Sequence, residues 1–152
     1  MKLLLRILLL ALASAGADAQ MALEPLDHFP KATLEIYTPD MRKHQFKIWI
    51  ADTEPRREQG LMFVEALPAD QGMLFIFDVP QQVAMWMKNT VIPLDMLFID
   101  VNGHIDSIAS NTKPMSQKII RSNGSVISVL EVKGGETNRL RISTSAIIKI
   151  HQ

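Results

Sequence analysis

Cysteine is absent from the 152-residue chain, and no other absence excludes as much. No disulfide can form, no thiolate can act as a nucleophile, and no thiolate metal site can exist. Histidine is sparse. His28, His44, His104 and His151 are scattered without a His-x-x-x-His pair, so neither a His-based metal site nor histidine acid–base catalysis is expected. The chain has no Gly-rich phosphate loop, no nucleophile elbow, no internal repeat and no low-complexity tract. Nothing in it calls for a cofactor. An excess of one charge is missing too, with 16 Lys and Arg against 16 Asp and Glu. That balance is no footprint for nucleic acid, and no polybasic patch offers itself to a membrane surface.

The one long apolar run is N-terminal. Lys2 and Arg6 give a basic start, "LLLRILLLALA" follows, and "ADA" places small residues at Ala17–Ala19. This is the pattern of a secretory signal peptide over residues 1–19, cut after Ala19. The run is too short for a stable anchor, so no membrane anchor is expected after cleavage, and the protein is expected in the periplasm or outside the cell. Without Lys2, Arg6 and Asp18 the balance is 14 basic against 15 acidic side chains. Residues 20–32 read as a lead-in with Pro25 and Pro30. Residues 33–152 read as a single β-rich domain, long enough to bury one core.

Hydrophobic period sets the fold class. In "HQFKIWIAD" (44–52), Phe46, Ile48 and Ile50 alternate with Gln45, Lys47 and Trp49, the period of a half-buried strand. "TLEIY" (33–37), "QVAMWMK" (82–88), "LDMLFID" (94–100), "IDSIAS" (105–110), "SVISVLEVK" (125–133) and "RLRISTSAIIKI" (139–150) are further strand candidates. "MLFIF" (73–77) is a continuous apolar run, expected of a strand covered on both faces. "VNGH" (101–104) places Asn-Gly between two such runs and predicts a hairpin. "GGETN" reads as a turn, and residues 111–124 as a long loop. "TEPRREQGLM" is the single helix signal, with Thr53 to cap, Pro55 in the first turn and Gly60 to close. The expectation is a mostly β fold, α+β only by virtue of one short helix. Its sheet is mostly antiparallel, rolled or barrel-like, with about seven strands.

Candidate chemistry gathers in "MWMKNTVIPLDMLFID", Met85 to Asp100. Asp95 opens an apolar strand and Glu131 sits inside "VLEV". A carboxylate among apolar side chains must be paired, hydrogen-bonded or protonated. Arg57 and Lys88 are available partners. Two readings stay open: a buried ion pair fixing the helix on the sheet, or a pocket where Arg57, Lys88, Asp95 and Glu131 converge. "KNT" before "VIP" is a turn by composition, yet Lys88, Asn89 and Thr90 beside Trp86 also suit a pocket mouth. The many methionines suit irregular core gaps. Met62, Met85 and Met87 alternatively suggest a soft copper(I) site.

"GLM" (60–62), "GMLFIF" (72–77), "WMKNTVIPLDMLFID" (86–100), Gly103, Pro114 and "VLEVKGG" (129–135) resemble the family known as domain of unknown function 192. The resemblance covers about residues 45–150. It implies a compact, mostly β fold, often behind a bacterial export signal, and brings no reaction, ligand or partner. "STSA" (143–146) replaces the Gly-Asp pair with which that family usually closes, and Ile or Arg stands near residue 120 in place of an aromatic. The reading favoured by these residues is an exported module binding a small molecule or peptide. Its site would comprise Arg57, Trp86, Lys88, Asn89, Thr90, Asp95 and Glu131. The alternatives are an enzyme using Asp95 and Glu131 as an acid/base pair, and methionine-based copper(I) binding. The oligomeric state is not legible.

Overall fold

The computed structural model describes residues 22–151. The export signal expected over 1–19 lies outside the described residues. Among those described, no helix is long and apolar enough to cross a membrane.

After a 3-10 turn at Leu26–His28 come β1 (Lys31–Tyr37), β2 (Lys43–Ala51), α1 (Glu54–Gln59), β3 (Gln71–Gln81) and β4 (Ala84–Met85). Then follow β5 (Leu94–Ile99), β6 (Ile105–Ala109), β7 (Ile120–Arg121), β8 (Val126–Lys133), α2 (Glu136–Leu140) and β9 (Ile147–His151). Seven strands form one sheet in the order β6-β5-β8-β3-β2-β1-β9, while β4 and β7 pair with each other. The sheet curls into a half-barrel, the mostly β, rolled architecture expected from the strand periods.

Alternation decides which face each side chain takes. Phe46, Ile48 and Ile50 of β2 join Leu34 and Ile36 of β1, Leu74, Leu97, Leu130 and Val132 in one buried cluster. That cluster also holds Ile105 at one edge of the sheet and Ile148 at the other, so the sheet wraps around it. The edges touch where His104 bridges Ile147 and the Ile148 N–H donates to the Gly103 carbonyl at 2.9 Å. Gly103 is needed there. Its φ is +82°, and a Cβ would sit 2.5 Å from the Ile148 carbonyl oxygen. The opposite face carries a second cluster of Met73, Phe75, Met96, Phe98, Val129 and their neighbours, covered by Leu61 and Leu67 after α1 and by Phe29, Val83 and Met87 from the other connections. Strands β3, β5 and β8 are therefore covered on both sides where they cross the core, and read as unbroken apolar runs. Each fully buried Leu, Ile, Phe or Met contributes roughly 1.5–3 kcal/mol.

The sheet is mostly antiparallel, as expected; one pair, β2 and β3, runs parallel, which requires a crossover, and the segment carrying α1 supplies it. Two expectations are corrected. Residues 82–88 give only the two-residue β4, because Met87 turns into the core and the chain reverses over 87–90. The strand expected over 139–150 is confined to β9, and a second helix, α2, precedes it. The sequence "ETNRL" has no strong helix signal, and α2 forms because a tertiary contact organises its first turn.

Candidate functional site

That contact is Asp95. Its side chain is fully buried, and register places it opposite Val132, on the barrel-interior face. Oδ1 accepts the N–H groups of Asn111 at 2.6 Å and Gly135 at 2.9 Å. Oδ2 accepts the Thr137 N–H at 2.8 Å and the Thr137 hydroxyl at 2.6 Å. Four donors from two segments bind Asp95, so β5, the 111 loop and the start of α2 are held together. Gly135 reaches this position with φ +88°, a conformation glycine tolerates without strain. Asp95 is thus a structural clasp.

Glu131 is the reverse case. It lies between Met73 of β3 and Met96 of β5, on the opposite face of the sheet from Asp95. It is only 4% exposed. No hydrogen bond or nearby cation offsets its burial, and burial alone pushes its carboxyl up to about 8. At neutral pH it is a carboxylic acid with a proton to donate and no protein acceptor.

Glu131 opens onto a cavity of about 500 Å³. α1 and the turn after it bring Arg57 and Met62 to the lining, β3 brings Phe75 and Phe77, and the segment after β3 brings Met85, Trp86, Lys88 and Thr90. Arg57 Nη1 donates to the carbonyls of Asp52 at 2.9 Å and Ile76 at 2.8 Å, which fixes the side chain. Its guanidinium lies 5.5 Å from the centre of the Phe77 ring. The Lys88 ammonium lies 5.3 Å from the centre of the half-exposed Trp86 ring. Both are cation–π distances.

Five expected residues, Arg57, Trp86, Lys88, Thr90 and Glu131, therefore share one cavity. Asn89 and Asp95 are not on its lining. Asn89 instead holds the turn closed by the Thr90 N–H to Met87 carbonyl bond, at φ +58°. The expected Asp95–Glu131 acid/base pair is corrected, since the two carboxyls face opposite sides of the sheet. So is the Arg57–Asp95 pair. The helix is fastened by Gln59, which exchanges two 2.7 Å hydrogen bonds with the Glu24 backbone, and by the Arg56–Glu24 ion pair. The three methionines do not converge either. Met62 and Met85 line the cavity, but Met87 is buried with its sulfur 3.1 Å from the Thr112 hydroxyl. Phe75 and Phe77 escaped the sequence reading, because an apolar run hides which of its members face an opening.

A larger hollow of about 750 Å³ lies beside the ends of β1 and β2. Its charged side chains are already paired: Lys31 with Asp27, Lys47 with Asp70 and His151 with Glu35. It has no buried, unpartnered acid like Glu131, so the smaller cavity is the candidate site.

Residues 35–150 match the model of a family described as Uncharacterized ACR, DUF192. A crystal structure of a candidate transcription regulator from Sinorhizobium meliloti is 39% identical, with a TM-score of 0.79 over 80% of this chain and 95% of that one. A protein of unknown function from Novosphingobium aromaticivorans is 30% identical, with a TM-score of 0.79 over 84% of this chain and 91% of that one. No curated protein matches the chain.

Proposed function

The chain belongs to the DUF192 family, and we propose that it is an exported binding module that takes a small molecule, or the end of a peptide, into the cavity beside Trp86. The observation that carries this reading is Glu131. Protein interiors rarely leave a buried polar group without a partner, because each such group costs about 1–3 kcal/mol. The Glu131 carboxyl has no protein partner and reaches only the aromatic- and thioether-lined cavity, so any hydrogen-bond partner it takes arrives from outside. The cavity volume is within the range of small-molecule sites, and its few polar groups among apolar walls have the usual composition.

Acid–base catalysis by Glu131 alone is favoured by the same elevated pKa. Glu54, Glu58 and Lys88 also line the cavity, but all three are exposed to solvent and none is hydrogen-bonded to Glu131, which makes binding the better supported reading. The even charge balance gives no footprint for nucleic acid, so nothing in this chain supports a transcription-regulator role like that ascribed to the Sinorhizobium protein. The basic, apolar and small-residue pattern of residues 1–19 supports action in the periplasm or outside the cell.

A thermal-shift screen of small solutes tests the reading, because a ligand of the folded state raises apparent stability. Solutes that stabilise the protein should lose that effect in Trp86→Ala and Glu131→Leu. A shift that survives both substitutions would place binding elsewhere.

A further inference from the structure

Building on the cavity reading, we infer that its occupant is an organic carboxylate with an apolar tail, held between the Glu131 carboxyl and the Arg57 guanidinium. Three observations favour an anion over a cation or a neutral guest.

The first is what Glu131 has to offer. It keeps its proton at neutral pH, so it enters binding as a donor. Its strongest partner is an anionic oxygen, since an O–H to carboxylate bond is charge-assisted. The second is Arg57. Nη1 makes both of its backbone hydrogen bonds, leaving Nη2 and Nε uncommitted on a side chain that is already held in place. A guanidinium edge of this kind matches a carboxylate. Glu131 and Arg57 line the same cavity without pairing, so the space between them is open to a guest. The third concerns the aromatic faces. An ammonium guest would want them, but Arg57 already lies over Phe77 and Lys88 over Trp86. A cationic guest would displace these cations or be repelled by them. The remaining wall, Leu61, Met62, Phe75 and Met85, has only apolar surface to give a tail.

The charged groups facing the cavity are Glu54, Arg57 and Glu58 from α1, Lys88 after β4, and Glu131 itself. β3 and β5 set only Met73 and Met96 directly beside Glu131. The anion binds the form of the protein in which Glu131 is protonated. Affinity is therefore level up to about pH 8 and falls above it, where each carboxylate bound takes up one proton.

The test is calorimetric titration of the purified protein with two matched triplets of probes across pH 6–9. These are hexanoate, hexylamine and hexanol, then benzoate, benzylamine and benzyl alcohol. Carboxylate affinity should exceed that of the matched amine and alcohol at least tenfold at pH 7 and fall about tenfold per pH unit above 8. Glu131→Gln keeps an N–H donor, so it should bind carboxylates with that fall abolished. Arg57→Ala should weaken them about tenfold or more. Tighter binding of an amine or alcohol, lost in Glu131→Leu, would overturn the anion inference and leave the cavity reading standing. A carboxylate pH profile unchanged in Glu131→Gln would also overturn it. Binding by none of the six probes would count against both.

Discussion

Asp95 and Glu131 stand on adjacent strands of one sheet and face opposite sides of it. Asp95 accepts four hydrogen bonds and is sealed in. Glu131 has no partner and opens onto a cavity. A one-residue offset in register therefore separates a carboxyl that holds the fold together from one left ready for a guest.

Asp95 is expected to carry a large share of the stability. Asp95→Ala leaves the N–H groups of Asn111, Gly135 and Thr137 without their acceptor. The loss should be on the order of 3 kcal/mol or more in urea unfolding. Asp95→Asn should lose less, since one oxygen remains to accept. A change below about 0.5 kcal/mol in the alanine variant would refute the clasp.

Glu131 should make the protein less stable as pH rises. Its folded pKa of about 8 lies above the unfolded value near 4.5. Below 4.5 both states are protonated and burial is uncharged. Between 4.5 and 8 the unfolded state releases its proton and the folded state does not, so stability falls with pH. Above 8 the full penalty is present, roughly 4–5 kcal/mol at about 1.4 kcal/mol per unit. Glu131→Gln removes this dependence. Its stability advantage over the natural chain should grow steadily from pH 5 to pH 8. Parallel stability–pH curves for the two proteins would contradict the burial of an unpaired acid.

Gly103 is expected to govern the contact between the two edges of the sheet. Gly103→Ala places a Cβ against the Ile148 carbonyl and strains a positive φ. A loss of about 1–3 kcal/mol is expected. Hydrogen exchange should speed up at the Ile148 amide, which bonds to the Gly103 carbonyl, before it does so in β3 or β8.

Much of the sheet was legible in the sequence, because alternation such as Phe46-Lys47-Ile48 reports a half-buried strand directly. "VNGH" likewise announced the β5–β6 hairpin, and Thr53, Pro55 and Gly60 bounded α1. The features that were missed depend on partners distant in sequence. α2 takes its first turn from Asp95, some forty positions earlier, and no local signal carries that. The β2–β3 crossover is parallel although its helix is only two turns long. At the site, composition marked Arg57, Trp86, Lys88, Thr90 and Glu131 as polar or aromatic groups in apolar company. It could not separate Asp95 from Glu131, because period assigns a face only within a strand. The register between β5 and β8 was needed to put the two carboxyls on opposite sides. Phe75 and Phe77 were hidden in a run where every residue is apolar.

The protonation state of Glu131 is the most direct point of test. Carbon-13 NMR of the side-chain carboxyl, in protein labelled at glutamate and assigned by comparison with Glu131→Gln, follows it through a pH titration. A midpoint near 8, with the neutral acid present at pH 7, is the expected result. A midpoint between 4 and 5 would contradict it. Glu131 would then be ionised and solvated or paired, and the cavity would lose the proton donor on which its proposed function rests.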